Sequence, residues 1–352
     1  MTAAAVLCAA TALLPQTASA AARDGGPGVE RVSVASDGTQ ANGASTGGSI
    51  TPDGHRVVLA SSASNLTADT TTGGDRVFVR DQQTGSISRM GNYVPLETPT
   101  ISGAGGYVAY PIQWTSDVRI RFYQVSNGAT ISAYCGLTNN RCSQLSLTAD
   151  GRYVSHVTLF RDASRGQLVE VQDSYTGTRQ TVATLAHTQP SRPSISGDGR
   201  YVAYQDGQAK DVFVRDRTSA TTAGPIEGPG KDAAIVQLSE DGSKVAYVSG
   251  TDTYVHDVAA GTAQLVTGAR GLALDPTGRY LLYAPQDTSA GPTLVLRDLT
   301  TGTDRTVTDR PATAGVDAVS GGGLDVVFQS AADDIVPGDT NGKTDVFVRH
   351  FS

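Results

Sequence analysis

The chain has 352 residues and carries 34 acidic against 27 basic side chains, which gives a net charge of -7. Binding to a nucleic-acid backbone needs clustered Lys and Arg, and none cluster along this sequence, so the composition argues against a nucleic-acid partner. Glycine is frequent, at 40 residues, and no window shows a sustained apolar periodicity of 3.6 residues. This combination is typical of many short strands joined by tight turns.

The amino-terminal residues have the pattern of an export signal. An apolar run over residues 3–14 precedes Ala18-Ser19-Ala20, a small-residue cleavage pattern. The run is shorter than the about 18 apolar residues that span a bilayer. We therefore expect residues 1–20 to be a signal peptide and residues 21–28 a short linker. The mature chain is then secreted and extracellular, without insertion in a membrane.

Two cysteines remain after the signal peptide. Cys135 and Cys142 lie in a stretch rich in Asn, Thr and Gly. In an oxidising compartment this spacing predicts a local disulfide. A zinc site is disfavoured, because two thiolates do not complete a four-coordinate shell and no histidine lies near them in sequence.

One unit recurs along nearly the whole mature chain. Its clearest copy runs from Ser194 to Tyr204 and continues with Asp211 to Asp216. Seven copies of the first half share a turn glycine, and these glycines are 36 to 51 residues apart, close to the about 40 to 50 residues of a four-stranded propeller blade. The seven turn glycines are Gly54, Gly105, Gly151, Gly199, Gly242, Gly278 and Gly323.

The repeat also assigns the strands of each blade. The Asp-Gly or Gly-Gly pair supplies the positive φ angles of a hairpin turn between the first and second strands. Apolar runs such as Val77–Asp81 and Val212–Asp216 fit a third strand buried on both faces. An aspartate four residues before a glycine follows several of these runs, as in Asp81 with Gly85, and its carboxylate is expected to accept turn N–H groups.

The last unit supplies only three of its four strands. The segment Val29–Ala35 has the pattern of an outer strand and no set of inner strands of its own. Pairing this segment with the last unit would close a ring and remove two exposed sheet edges. The sequence therefore predicts an all-β fold, a seven-bladed β-propeller over residues 29–352 with four-stranded antiparallel blades, closed by an amino-terminal strand.

The motifs Ser-x-Asp-Gly-x-x-Val-Ala-Tyr (196–204) and Asp-Val-Phe-Val-Arg-Asp (211–216) resemble the TolB-like propeller repeats of exported bacterial proteins. The resemblance spans about residues 29 to 352 and implies a propeller fold. TolB itself has six blades and a separate amino-terminal domain, so its role in a cell-envelope complex is not implied.

One loop has the oxygen pattern of a cation site. Asp339, Asn341 and Asp345 alternate around a glycine before a strand, as calcium ligands do. The alternative is a solvated hairpin whose Asp and Asn side chains form Asx turns. The corresponding loop of the first blade keeps only Asp69 and Asp75. Apart from this candidate calcium, we expect no cofactor.

Three further features carry weaker hypotheses. Gly43-Ala-Ser-Thr-Gly47 matches a nucleophile elbow, but no helix follows it, so Ser45 is not expected to be a nucleophile. Trp114, at the hairpin between two strands of the second blade, could stack on a sugar or a peptide, or could anchor its loop. The histidines occupy non-equivalent repeat positions, which favours structural or surface roles over a metal or acid–base site: His55, His156, His187, His256 and His350.

These observations favour a monomeric, non-enzymatic binding or scaffold protein. Its ligand, a protein or a glycan, would be held by loops at one opening of the channel. The alternative is an extracellular polysaccharide lyase or hydrolase on the same scaffold, which would need a cluster of His, Arg and carboxylate groups at the channel mouth.

Overall fold

The computed structural model describes residues 28–68, 74–134, 140–287 and 293–351. Seven antiparallel sheets form the blades of a β-propeller, as the repeat predicted. Each of the first six blades has four strands in chain order from the channel outward. The strands of blades 1 to 3 are β2 (Ser45–Ile50), β3 (Arg56–Ser61), β4 (Arg76–Asp81), β5 (Ile87–Arg89); β6 (Thr100–Ile101), β7 (Tyr107–Trp114), β8 (Asp117–Gln124), β9 (Thr130–Tyr134); β10 (Arg141–Leu147), β11 (Tyr153–Leu159), β12 (Gln167–Asp173) and β13 (Arg179–Leu185).

The later blades follow the same order. Their strands are β14 (Ser194–Ile195), β15 (Tyr201–Asp206), β16 (Asp211–Asp216), β17 (Thr221–Ile226); β18 (Ala234–Leu238), β19 (Lys244–Ser249), β20 (Asp252–Asp257), β21 (Thr262–Val266); β22 (Ala269–Leu274), β23 (Tyr280–Pro285), β24 (Leu294–Asp298), β25 (Asp304–Thr308); and, in blade 7, β26 (Asp325–Ser330) and β27 (Asp345–His350). Two three-residue 3-10 turns cover Ala163–Arg165 and Gly321–Gly323. In the described part of the chain, no helix is long and apolar enough to cross a membrane.

The amino-terminal strand closes the ring, as predicted. Strand β1 (Gly28–Arg31) pairs antiparallel with β27, with Gly28 opposite His350 and Arg31 opposite Phe347. The strand is shorter than the Val29–Ala35 segment read from the sequence, and beyond it the Val32 N–H still bonds the Val346 carbonyl at 2.9 Å. Blade 7 is therefore built from both ends of the described chain.

A buried polar cluster joins the two ends beyond the backbone pairing. We call Arg31, Ser33, Gln40, Asp339 and Asp345 the closure cluster. The Arg31 guanidinium lies 3.2 Å from both carboxylates, whose side chains are 3% and 0% exposed. Gln40 Nε2 donates to both carboxylates at 2.9 Å, and Ser33 Oγ donates to Asp345 at 2.6 Å. Two residues of the predicted calcium loop thus face a guanidinium of the first strand.

The turn glycines also serve packing between blades. Gly151 and Gly242 have φ angles of 71° and 73°. A Cβ at either position would lie 2.6 and 2.5 Å from the rings of Tyr107 and Tyr201 in the preceding blade. At these two positions neighbouring blades therefore pack through a contact that only glycine leaves room for.

The aspartates that end the third strands of several blades accept turn N–H groups, as the sequence predicted. Asp298 accepts from the N–H groups of Thr300 and Thr301 at 2.8 and 3.3 Å. The same carboxylate lies 2.7 Å from Arg279, whose hydrogen bonds hold the pKa of Asp298 well below its usual range. The same arrangement joins Arg200 to Asp216 at 2.8 Å, so one end of the ring carries a repeated ion pair.

Candidate ligand site at the channel mouth

An apolar ring lines the middle of the central channel. Each blade contributes the residue four positions before its turn glycine, and in every blade this residue is aliphatic and buried. The space that the ring encloses is only about 50 Å³, room for a few water molecules. The ring consists of Ile50, Ile101, Leu147, Ile195, Leu238, Leu274 and Val319.

Backbone hydrogen bonds between blades narrow one end of the channel. The Ala104 N–H donates to Ala149 at 2.8 Å, the Ala149 N–H to Gly197 at 2.9 Å, and the Gly197 N–H to Glu240 at 2.6 Å. The Glu240 carboxylate lies against Gly103 and Gly197, where a Cβ would collide with it. Burial, and then the nearby Asp317 and Asp241 carboxylates, raise the pKa of Glu240. We call this end the narrow end.

The opposite end opens into a cavity of about 500 Å³, which we call the wide mouth. The inner strands of six blades, or the residues just before them, line it. This volume lies within the range of small-ligand sites. The polar and charged residues that line the wide mouth include Glu97, Gln144, Ser146, Arg192, Ser194, Gln237, Arg270 and Asp317.

The backbone of the wide mouth is strained. Gln144, Arg192 and Asp317 have φ angles of 57°, 40° and 56°. Residues other than glycine rarely occupy this left-handed region, and each such residue costs about 1–3 kcal/mol, so it persists only where its surroundings hold it in place. Strain of this kind is concentrated at functional sites in folded proteins. Three blades carry it around one cavity.

One side of the wide mouth is held by a chain of hydrogen bonds across blades 2, 3 and 4. The Gln144 N–H donates to the Glu97 carboxylate at 2.6 Å. The Gln144 side-chain oxygen accepts from the N–H groups of Ser191 and Arg192 at 3.3 and 2.5 Å. Burial raises the pKa of Glu97. The positions of Gln144 and Arg192 are therefore fixed together.

Gln237 holds the other side. Its Nε2 donates to the Asp317 carboxylate at 2.7 Å, and its Oε1 accepts from the N–H groups of Asp317 and Leu274 at 3.2 and 3.1 Å. Burial raises the pKa of Asp317 to about 6. This carboxyl group therefore changes charge just below neutral pH, at the edge of the cavity.

The residues singled out in the sequence lie elsewhere. Asp339 and Asp345 belong to the closure cluster, and Asn341 donates to the Ala41 carbonyl at 2.7 Å. Calcium at this loop stays a prediction. Cys142 is buried at the start of β10, and Cys135 lies outside the described residues, as does Asp69, so the disulfide also stays a prediction.

The structure does not bring the histidines together. Within the described ranges, no three His, Cys, Asp or Glu side chains are placed to hold a metal ion. His156 is fully buried between strands, and burial lowers its pKa to about 4. His187 Nε2 lies 2.7 Å from Asp206, while its Nδ1 accepts from the Gln189 N–H at 3.2 Å, so both ring nitrogens are engaged.

Ser45 and Trp114 also have defined surroundings. The Ser45 hydroxyl is buried and lies 2.9 Å from the Ser61 hydroxyl. The Trp114 ring lies 5.7 Å from the Tyr93 ring, and guanidinium groups of Arg119 and Arg121 lie 5.0 and 4.9 Å from its centre. Trp114 is half-buried and packs against the hydrophobic cluster between blades 1 and 2.

The wide mouth was not predicted at the level of residues. Its three residues with left-handed φ stand six or seven positions before the turn glycines, where several inner strands bulge, as between Ser143 and Ser146. These positions hold different residue types in each blade, so the repeat gives no signal for them. Only their common place at the start of an inner strand, or just before it, could have indicated the cavity.

Comparisons with known proteins show the fold. No family model and no curated protein matches the chain. An oligogalacturonate lyase in complex with manganese has a TM-score of 0.67 at 12% identity, over 94% of both chains. A second oligogalacturonate lyase, from Vibrio parahaemolyticus, has a TM-score of 0.67 at 11% identity, over 92% of this chain and 93% of the other. TolB from Acinetobacter baumannii has a TM-score of 0.50 at 15% identity, over 72% of this chain and 63% of TolB. By its fold, the chain belongs with the β-propellers.

Proposed function

We propose that the chain is an extracellular, non-enzymatic binding protein whose ligand, a protein or a glycan segment, occupies the wide mouth. The observation that carries the proposal is the strained backbone around a cavity of about 500 Å³, with left-handed Gln144, Arg192 and Asp317 on its walls. Strain held in place by hydrogen bonds presents side chains in a fixed geometry, which lowers the entropy lost on binding.

The shape of the channel supports access from one side. The narrow end is crossed by backbone hydrogen bonds and occupied by Glu240, and the apolar ring leaves little space behind the cavity. A ligand would therefore enter the wide mouth without threading through the ring. Export of the mature chain belongs to the same proposal and rests on the amino-terminal segment.

Filling the wide mouth tests this function. Gly315 lines the cavity, has no left-handed φ, and has no atom within 4 Å of an added Cβ, so Gly315→Trp should fold and block the site. Gly106 has the same freedom but follows the turn glycine Gly105, toward the narrow end, and Gly106→Trp is the matched control.

The purified chain would be screened against an array of defined oligosaccharides and synthetic peptides. We expect at least one ligand to bind the parent and Gly106→Trp with equal affinity. The affinity of Gly315→Trp for this ligand should be at least about tenfold lower. Binding that survives Gly315→Trp, or an array without any bound ligand, would contradict the proposal.

The second candidate is a lyase, and the comparison with two oligogalacturonate lyases over more than nine-tenths of each chain is the observation that favours it. One of those proteins is described with manganese. The donor set found in the described part of this chain does not fit such an ion. We therefore derive no metal-dependent step. A lyase would form unsaturated product from oligogalacturonate, which is measured by its ultraviolet absorbance. If the parent forms this product and Gly315→Trp does not, the wide mouth is a catalytic site and the non-enzymatic proposal is wrong.

A further inference from the structure

Two arginines reach the wide mouth without a side-chain partner among the described residues. Arg192 precedes β14, Arg270 is the second residue of β22, and both are exposed and line the same cavity. Over the described ranges, neither guanidinium makes an ion pair or a side-chain hydrogen bond. An unpaired guanidinium keeps five N–H donors in a planar fork that matches a carboxylate.

Elsewhere in the ring, arginines at repeated positions are paired. Arg152, Arg200 and Arg279 each lie 2.7 to 3.0 Å from the aspartate that ends the third strand of their blade. An arginine with a structural role in its own blade is therefore paired with an aspartate. The two mouth arginines depart from this arrangement, and both line the wide mouth.

The backbone holds both arginines in place. The Gln144 side-chain oxygen accepts from the backbone N–H of Arg192, whose φ is left-handed, and so holds the Arg192 backbone in place. Thr253, fully buried, donates its hydroxyl to the Ala269 carbonyl and accepts from the Gly271 N–H, both at 2.7 Å. These two bonds flank Arg270. Side chains carried by a fixed backbone are suited to selective recognition.

The rest of the lining combines apolar side chains with hydroxyl and amide groups. Ser146 Oγ accepts from the Ile195 N–H at 3.2 Å, and Ser194 Oγ accepts from the Leu238 N–H at 3.0 Å. Each hydroxyl therefore still has its own hydrogen to donate toward the cavity. These hydroxyls can bind the hydroxyl groups of a sugar, and the apolar side chains beside them can pack on the C–H faces of its rings.

We infer that the wide mouth binds a saccharide that carries carboxylate groups, with Arg192 and Arg270 as the specificity-determining residues. The inference rests on the proposed function and names its ligand class. Each arginine donates hydrogen bonds to a carboxylate oxygen, and the serine hydroxyls bind the ring hydroxyls. No bond is made or broken.

Calorimetry with three probes tests the inference. The probes are a linear tri-uronate, its neutral methyl ester and a tri-glutamate peptide. The variants are Arg192→Gln and Arg270→Gln, with Arg161→Gln as control, because Arg161 is also exposed and lies outside the cavity. We expect the tri-uronate to bind, and the ester and either mouth variant to bind at least about tenfold more weakly.

Arg161→Gln should stay within about twofold of the parent. Equal binding of ester and acid, unchanged affinity in both mouth variants, an equal loss with Arg161→Gln, tighter binding of the peptide, or no binding of the tri-uronate would each overturn the inference. If ligands from the array lose affinity with Gly315→Trp but bind Arg192→Gln and Arg270→Gln as tightly as the parent, the inference is wrong and the proposed function still holds. Binding that is indifferent to Gly315→Trp would overturn both.

Discussion

Removing Arg31 tests how the ring is closed. Arg31→Ala leaves Asp339 and Asp345 facing each other, 3% and 0% exposed, with no cation beside them. Gln40 and Ser33 still donate to them, but neither carries charge. Breaking a buried ion pair from one side typically costs about 3–5 kcal/mol, which is a third or more of the stability of many domains.

The assay is urea unfolding followed by the fluorescence of Trp114, the one tryptophan of the chain. The exposed control pair is Arg310 and Asp334, which lie 2.8 Å apart with side chains 43% and 54% exposed, so Arg310→Ala should cost far less than Arg31→Ala.

A rescue variant separates charge from packing. Combining Arg31→Ala with Asp339→Asn and Asp345→Asn removes the buried charges and should recover most of the lost free energy of unfolding. If Arg31→Ala costs no more than Arg310→Ala, or if the triple variant is less stable than Arg31→Ala, the closure cluster does not hold the ring as we describe.

Three further predictions concern single groups. Gly242→Ala should lose about 1–3 kcal/mol more than Gly177→Ala in urea unfolding, because both have left-handed φ angles but only Gly242 meets a neighbouring ring, that of Tyr201; equal losses would refute the packing role. The pKa of His156 is lowered to about 4, so between pH 6.5 and 4 the unfolded chain binds a proton that the folded chain does not. The free energy of unfolding should therefore fall by about 3 kcal/mol as the pH drops from 6.5 to 4. The same pH profile in His156→Gln would refute this. Affinity for a tri-uronate should rise as the pH falls through about 6 and Asp317 loses its charge, and Asp317→Asn should abolish that rise in calorimetry.

The sequence was sufficient for the fold because its signals repeat. A turn glycine such as Gly242 is required both by its φ and by the tyrosine of the preceding blade, so the same residue pattern returns in each unit. The pairing of β1 with β27 was predictable for a physical reason as well, since an open ring would leave two unpaired edges.

The candidate site could not be predicted because a ligand site breaks the repeat. Gln144, Arg192 and Asp317 occupy related places in three blades, yet they share neither size nor charge. The predicted calcium residues Asp339 and Asp345 do have oxygen atoms close together, but sequence spacing could not show that Arg31, some 300 positions away, lies between them.

Hydrogen exchange of the chain with and without its tightest array ligand tests the central claim most directly. We predict slower exchange at the backbone of residues 97–98, 144–146, 192–194, 270–272 and 314–317, which come together only at the wide mouth. Residues 103–106 and 240–242, toward the narrow end, should exchange at unchanged rates. Protection confined to the narrow end, or to the outer strands of the blades, would contradict a ligand site at the wide mouth.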